Sequence, residues 1–329
     1  MNKTFYILFF VFASVFCNAQ SNLVYNGDFE MYDTCPNSTS SPGDDQMRFC
    51  LGWKAPTAAT SDYYNACAAM SVSVPTNALG YQYPYSGNAY CGILIEYTAP
   101  PLSTYGYWFE YVQGQLTAPL NAGYEYEFSC RIVMSELGWD YAFSRFGAAF
   151  TSTTISKTDG KPFSGVTPQV INATANYLTD TLNWMEVKGK FIAQGAEQYI
   201  TLGFFSDTTH LDTLKQPAPF FDPNHFGTYY FIDACTLTET GKIFEYPNVF
   251  SPNGDNQNDV WKPLLADGER IYIYDRWGIK VYELSAGNQG WDGRTTAGEA
   301  CTDGVYYFVL EDKDKKSSTT KKGFIQLVR

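Results

Sequence analysis

Short runs of alternating apolar and polar residues recur along almost the whole of this 329-residue chain, bounded by glycine, proline, asparagine and aspartate. In the run YEYEFSCRIVM, residues 124–134, Tyr126 and Phe128 fall on one face and Glu125 and Glu127 on the other. A period of two is typical of a strand with one buried face. Amphipathic helical patterns are nearly missing from the sequence. The chain is therefore predicted to be all-β.

The spacing of the turn-rich segments favours β-sandwiches over sheets covered by helices. The runs KGKFIAQ, QYITLGFF and TYYFIDACTLTE repeat the strand pattern, which then resets at Thr240-Gly241-Lys242. We predict a jelly-roll β-sandwich over residues 20–240 and a small Ig-like β-sandwich over residues 241–329. Both lengths suit independent domains.

The N-terminus has the three-part layout of a secretory signal. Lys3 precedes an apolar run from Phe5 to Phe16, and small and polar residues follow. The run is shorter than the roughly 20 residues that a helix needs to cross a bilayer. Residues 1–19 are therefore predicted to be a signal peptide that is removed on export.

The net charge limits the classes of partner that the chain can bind, and the cysteine content indicates its redox environment. The formal net charge is −12, which argues against nucleic acid as a partner because phosphate binding needs a concentrated positive surface. Cysteines in an exported chain indicate disulfides before metal or redox chemistry. Two bridges could form among Cys35, Cys50, Cys67 and Cys91, and a third between Cys130 and Cys235. The sequence leaves the connectivity open. Cys301 would then be unpaired.

The stretch FSPNGDNQNDVW, residues 250–261, is rich in oxygen-bearing side chains. An EF-hand loop that starts at Asp255 fails, because Val260 replaces the required glycine and Ala266 the bidentate glutamate. The favoured interpretation is a tight turn in which short side chains accept from backbone N–H groups, with Gly254 at positive φ. A weak calcium site of another kind is the alternative.

Five segments occur in order between residues 245 and 329: PNVFSPNGDNQNDVW, IYIYDRWGIKVYE, GWDGRTTAGE, DGVYYFVL and KKGFIQLVR. Together they resemble the gliding-motility-associated, type B C-terminal sorting domain of proteins exported by the type 9 secretion system of Bacteroidota. The departures are small: Asn256 and Gln257 stand where a glycine-rich turn is common, and Cys301 stands at a place that is usually not cysteine.

The resemblance implies a secreted or cell-surface protein, carried out by a translocon that recognises this domain together with a PorP/SprF-like outer-membrane barrel. A label shared by unrelated cargo should present its information on exposed turns and sheet edges. The candidate sorting residues are Asn253, Gly254, Asp255, Asp259, Arg276, Trp277, Gly278, Trp291, Asp292, Gly293, Asp303, Gly304 and Arg329.

The first domain opens with NLVYNGDFE and ends with YYFIDACTLTE, which resembles the two ends of galactose-binding-like jelly rolls, including many carbohydrate-binding modules. In such modules carboxylates of the first and last strands often hold a structural calcium, and Glu30 and Asp233 are the matching positions. The alternative is that both carboxylates accept backbone hydrogen bonds.

Aromatic residues make up 17% of the chain, with 26 tyrosines, and they cluster. Exposed rings flanked by polar groups suit glycans. The candidate carbohydrate contacts are therefore Tyr81, Tyr83, Tyr85, Tyr107 and Trp108. The competing interpretation is that most of these rings fill a sandwich core.

Catalysis finds little support in the sequence. His210 and His225 are the two histidines, and neither HExxH nor GxSxG accompanies them. A glycosidase needs two carboxylates, for which the candidates are Glu96, Glu110, Glu136 and Asp140. The favoured prediction is a non-enzymatic protein that binds carbohydrate. A structural adhesin or motility-associated component that binds proteins is the first alternative, and a glycan-active hydrolase the second.

Overall fold

The alternating runs form strands in the computed structural model, which describes residues 21–98, 107–137, 141–205, 212–216, 225–242, 248–263, 265, 268–312 and 321–329. The all-β prediction is confirmed. The chain divides into two compact units, Met1–Lys242 and Ile243–Arg329. The predicted signal peptide, Asp140 and His210 lie outside the described residues.

The strands of the N-terminal unit that fall in the described ranges are β1 (Trp53–Lys54), β2 (Asp62–Asn65), β3 (Thr76–Asn77), β4 (Gly80–Tyr81), β5 (Ala89–Thr98), β6 (Tyr107–Phe109), β7 (Tyr111–Gln115), β8 (Tyr124–Met134), β9 (Tyr141–Phe143), β10 (Phe146–Thr151), β11 (Val170–Ile171), β12 (Met185–Ile192), β13 (Tyr199–Phe204), β14 (Thr213–Lys215) and β15 (His225–Lys242). Two short 3-10 helices, Gln46–Phe49 and Met70–Val72, accompany them. No helix in the described part of the chain is long and apolar enough to cross a membrane.

Two antiparallel sheets share one apolar core in this unit. One has five strands in the order β1-β7-β13-β10-β11, and the other has six in the order β12-β8-β15-β5-β2, with β6 paired to β5. Rings from opposite sheets meet between them: Phe128 of β8 and Phe150 of β10 have centroids 5.8 Å apart. This face-to-face burial of two sheets is a β-sandwich.

Strand β8 shows how the sequence places this core. Tyr126, Phe128 and Ile132 are buried in the main core, as the alternation predicts. Val133 points the other way and is also buried, in a smaller cluster that includes Tyr64. The six-stranded sheet is therefore covered on both faces over part of its area, which a period of two alone does not reveal.

Within the described ranges, the cysteines form one bridge. Cys35 and Cys67 are disulfide-bonded, with their Cα atoms 5.9 Å apart. The remaining candidates, Cys50, Cys91, Cys130 and Cys235, are buried free thiols, as is Cys301. Cys130 and Cys235 lie on the paired strands β8 and β15.

The C-terminal unit is built on a single five-stranded sheet in the order β16-β20-β19-β17-β18, in which β16 runs parallel to β20. Loops, including an isolated bridge between Trp261 and Trp291, form the layer that covers its apolar face. Both tryptophans are fully buried in the core of this unit. The described strands are β16 (Val249–Phe250), β17 (Glu269–Tyr274), β18 (Lys280–Ser285), β19 (Gly304–Asp312) and β20 (Lys321–Leu327).

Candidate functional sites

The loop of residues 80–88, here called the tyrosine loop, presents three aromatic side chains to solvent. Tyr81, Tyr83 and Tyr85 are 50%, 61% and 49% exposed. The rings of Tyr81 and Tyr83 meet edge to face at 5.4 Å, and the Tyr81 hydroxyl donates to that of Tyr83 at 3.0 Å. The Arg131 guanidinium lies 4.7 Å from the centroid of the Tyr85 ring. The arrangement offers flat apolar faces beside hydroxyls and a cation.

Asp233 on β15 anchors this loop from inside the fold. Its Oδ2 accepts from the backbone N–H groups of Tyr85 at 2.8 Å and Ser86 at 3.0 Å, and its Oδ1 accepts from Ala234 at 2.5 Å. Burial raises the pKa of this carboxyl to about 7, against the opposing effect of those three hydrogen bonds. One buried side chain thus fixes the backbone that carries Tyr85.

Glu30 anchors the other end of the tyrosine loop. Its Oε1 accepts from the backbone N–H groups of Asn88 at 2.7 Å and Ala89 at 2.9 Å. Gly87 lies between the two anchored segments at φ +61°, and a Cβ there would come within 2.3 Å of Glu30 Oε1. Glycine is thus required both by the backbone conformation and by the approach of the carboxylate.

The geometry at Glu30 and Asp233 is that of the hydrogen-bonding alternative. Backbone N–H groups converge on the oxygens that a cation would use, so a calcium ion would have to displace them. Within the described ranges, no group of three or more His, Cys, Asp or Glu side chains could hold a metal ion. The donor set does not fit a calcium site in this arrangement, and calcium at these positions stays an untested prediction.

The second predicted aromatic pair lies on β6 and is half-buried. Tyr107 packs against the main core. The indole Nε1 of Trp108 donates to Oε1 of Glu110 at 3.1 Å, and a Cβ on Gly160 would meet the Trp108 ring at 2.9 Å. These two rings belong to a wall of the sandwich, so they are poorer candidates for glycan contact than the tyrosine loop.

The carboxylates considered for catalysis have structural partners. Glu110 is buried, and its oxygens accept from the backbone N–H groups of Thr60 and Leu94 at 2.9 and 2.7 Å. Burial also raises its pKa. Glu136 accepts from the backbone N–H of Tyr81 at 3.0 Å and so supports the tyrosine loop. Glu96 is half-buried on β5.

Sequence reasoning missed several supports of the tyrosine loop. The indole Nε1 of Trp184 donates to the backbone carbonyl of Tyr83 at 3.0 Å across 101 positions of sequence. Arg131 and Glu136 come from β8 and the turn after it. No short-range pattern carries such contacts, because folding alone brings these segments together.

In the C-terminal unit, the stretch at residues 253–259 is a self-bonded turn. The two carboxylate oxygens of Asp259 accept from the backbone N–H groups of Gly254 at 2.7 Å and Asn256 at 2.8 Å, and Asp255 exchanges hydrogen bonds with Asn253. Gly254 has φ +82° and Asn256 has φ +65°. Asparagine tolerates the left-handed region, which explains why it can stand where a glycine is common.

The hairpin between β17 and β18 carries the most exposed tryptophan in the described residues. Oδ1 of Asp275 accepts from the backbone N–H groups of Trp277 and Ile279, each at 2.9 Å, while Gly278 supplies the positive φ of the turn. Trp277 is 76% exposed, and the Arg276 guanidinium lies 5.0 Å from the centroid of its ring. This tip presents an aromatic and a cationic group to any partner.

The side chain of Arg329 joins a third group of sorting candidates. The guanidinium of Arg329 donates to the backbone carbonyl of Cys301 at 2.7 Å, to Asp303 at 3.1 Å and to the carbonyl of Gly293 at 3.3 Å. Gly304, which follows Asp303 directly in the chain, has φ +148°. The side chain of Asp292 is exposed, whereas neighbouring Trp291 is core.

Every candidate sorting residue lies in the turn at residues 253–259, at the tip of the β17–β18 hairpin, or in the group formed by residues 291–293, 303–304 and 329. Residues 244–327 match the CHU_C type IX secretion signal domain. The match implies that the chain interacts with the type IX secretion machinery and is a secreted or cell-surface protein. A comparison with curated proteins finds no match.

Two solved structures are similar to this chain at low identity. The adhesin domain of Epf from Streptococcus pyogenes is 10% identical, with 72% of this chain and 76% of that chain covered and a TM-score of 0.26. The K1 cleaved adhesin domain of Lys-gingipain from Porphyromonas gingivalis is 12% identical, with 58% and 92% covered and a TM-score of 0.28. Similarity at these TM-scores carries no argument about function.

Proposed function

We propose that this chain is a type IX secretion substrate whose N-terminal unit binds carbohydrate at the cell surface or outside the cell. The observation that supports this is the tyrosine loop. Three exposed rings stand on a backbone that Asp233 and Glu30 hold in place. Rigid, exposed tyrosines bind a sugar at low entropic cost, because the apolar ring faces and the hydroxyls are already positioned.

For export, we propose the type B route, with residues 1–19 as the signal peptide and a PorP/SprF-like barrel as the receptor of the C-terminal unit. The exposed hairpin tip at Arg276 and Trp277 supports this assignment, because a receptor that serves many cargoes has to contact surface features. The proposal also makes the N-terminal unit a binding protein and not an enzyme.

The carbohydrate proposal is tested with the mature full-length chain on a glycan array. We expect binding to at least one class of polysaccharide and a loss of about tenfold in affinity for Tyr83→Ala. Tyr307→Ala is the matched control, because Tyr307 is 51% exposed in the C-terminal unit. Absence of binding to any glycan, together with stable co-purification of a surface protein, would favour the adhesin alternative instead.

A further inference from the structure

The C-terminal unit leaves one face of its five-stranded sheet open to solvent. Ile273, Phe308 and Ile325 are buried in the core of this unit. Successive side chains of a strand point to opposite faces, so the residues between these positions form the outer face. A solvated face of an antiparallel sheet usually carries polar residues. Here the outward positions of β17 and β19 hold aromatic and branched residues instead: Tyr272, Tyr274, Val305, Tyr307 and Val309.

Three aromatic rings lie in one row across this outer face. Tyr274 of β17 is directly opposite Tyr307 of β19, and Tyr307 is directly opposite Phe324 of β20. Directly opposite residues share a face with Cβ atoms roughly 4.5–5.5 Å apart, so the row is continuous over three strands. Tyr307 and Phe324 are 51% and 49% exposed. Adjoining exposed apolar side chains of this kind are typical of an interaction site.

Two cations flank the row. Lys322 lies two residues before Phe324 on β20, on the same face and opposite Val309. The guanidinium of Arg276 lies beside the start of β19, where a Cβ on Gly304 would come within 3.2 Å of its Nη2. Both basic side chains are exposed, and neither forms an ion pair with another residue in the described ranges. The outer face thus combines apolar rings with unpaired positive charge, although the chain as a whole is acidic.

These charges distinguish between occupants of the face. A second copy of this chain would place the cations of both copies around one apolar contact, and like charges oppose such a contact. A protein surface with apolar side chains and carboxylates at their edge complements both features. The family match indicates where such a surface is found, because a secretion signal domain has to be bound by the export machinery.

We name this surface the aromatic face, which consists of Tyr274, Val305, Tyr307, Lys322 and Phe324. We propose that the aromatic face is the surface by which a protein of the type IX secretion machinery binds the C-terminal unit. The partner presents apolar side chains to the row of rings and carboxylates to Lys322 and Arg276. The inference rests on the proposed export function and extends it, because Arg276 joins the aromatic face to the exposed hairpin tip at Trp277.

The test is surface delivery of the full chain in a host with a functional type IX system, measured by protease accessibility on intact cells. We expect Tyr307→Ser/Phe324→Ser to reduce delivery about tenfold, because it removes two adjacent rings from the contact. Tyr32→Ser/Leu182→Ser is the matched control, since these two side chains are 41% and 76% exposed in the N-terminal unit. Its delivery should equal that of the unmodified chain.

The charge is tested by a separate pair of variants. Lys322→Glu should reduce delivery about fivefold, because it replaces attraction to carboxylates by repulsion. Lys262→Glu makes the same change of charge at an exposed lysine beside Trp261, in the loop layer on the opposite side of the sheet, and should have no effect. Because Lys322 is exposed, this pair decides the question even if the double serine variant fails to fold, as judged by its thermal melt.

Normal delivery of a folded Tyr307→Ser/Phe324→Ser chain, or of Lys322→Glu, would overturn the inference and leave the export function in place. Equal delivery of the unmodified chain by a translocon-deficient host would instead refute the export function. The purified mature chain should be monomeric in sedimentation velocity and should not co-sediment with vesicles of phosphatidylethanolamine and lipopolysaccharide. A dimer or a vesicle complex that is lost in the double serine variant would assign the aromatic face to a second copy or to lipid, and so overturn the inference.

Discussion

Asp233 combines two demands that usually conflict. It has no exposed surface, yet it supplies the acceptors for three backbone N–H groups. Hydrogen bonds favour the ionised carboxylate and burial disfavours it, and burial prevails, since the pKa is raised to about 7. The contribution of Asp233 to the stability of the fold is therefore largest at pH values at which its carboxyl is protonated.

This pKa predicts a pH dependence of stability. The folded chain keeps a proton on Asp233 between the ordinary pKa of 3.8 and about 7, whereas the unfolded chain releases it. The free energy of unfolding should therefore fall as pH rises through that window, by at most about 1.4 kcal/mol per pH unit for this group. Urea unfolding at several pH values in the window should show a shallower slope for Asp233→Asn than for the unmodified chain.

The slope should decrease and not vanish, because burial also raises the pKa of Asp62 to about 7 and that group remains in the variant. Asp255→Asn is the control, since Asp255 is exposed in the C-terminal unit. Identical slopes for Asp233→Asn and the unmodified chain would contradict the assignment.

Among the elements, the β17–β18 hairpin and the segment around Trp291 both carry sorting candidates, but their tryptophans lie in different environments. Trp277 at the hairpin tip is 76% exposed, whereas Trp291 is fully buried and packs on Phe250 with ring centroids 5.2 Å apart. The sequence alone does not distinguish the burial of the two tryptophans. Its exposure leaves Trp277 as a candidate for recognition, whereas its burial makes Trp291 a core residue.

We expect Trp277→Ala to reduce surface delivery while changing the free energy of unfolding by less than about 0.5 kcal/mol. Trp291→Ala should cost about 3–5 kcal/mol, because it empties a packed core. Protease accessibility on intact cells measures delivery, and urea unfolding of the purified chain measures stability. Ile279→Ala, at a position 63% exposed on the same hairpin, controls for loss of apolar surface. Normal delivery of Trp277→Ala would remove the tip from the recognition surface.

The Cys35–Cys67 bridge constrains an N-terminal segment that has few strands. Its two cysteines are 32 positions apart. Closing a loop of this length should stabilise the fold by about 3–4 kcal/mol, chiefly by restricting the unfolded chain. The Cys35→Ser/Cys67→Ser variant should lose that amount in urea unfolding. Reductant should produce the same loss in the unmodified chain and none in the variant, and a further loss in the variant would reveal a second bridge.

At the scale of the whole molecule, the chain consists of two units with separate cores. The apolar cluster of the C-terminal unit contains Trp261 and Trp291 and draws on no residue before Phe250. A unit with its own core can fold without the rest of the chain. This is the property that a transferable export label requires.

We expect residues 242–329, fused to a periplasmic reporter, to deliver that reporter to the surface of a host with a functional type IX system. The complementary truncation after Lys242 should stay in the periplasm while the melting temperature of the N-terminal unit changes little. Microscopy and cell fractionation give the readout, with a translocon-deficient host as the control. Normal secretion of the truncated chain would refute the assignment of export to the C-terminal unit.

Local sequence patterns predict the strands. The period of two in residues 124–134 predicts β8 and its buried face correctly, and Asp275 to Gly278 predict a hairpin turn. The same patterns were silent on the second face of β8, where Val133 is buried. Alternation reports which side chains share a face, but it cannot report what covers that face.

By itself, the sequence determined the all-β architecture, because strand periodicity and turn chemistry act over a few neighbouring residues. It also indicated the C-terminal export domain, through the resemblance of five local motifs to a known family. Tertiary structure alone decided that Asp233 and Glu30 anchor one loop and that Lys54 lies opposite Gln113. These contacts join segments tens to more than a hundred positions apart. Their geometry is set by sheet register and core packing, to which no short stretch of sequence has access.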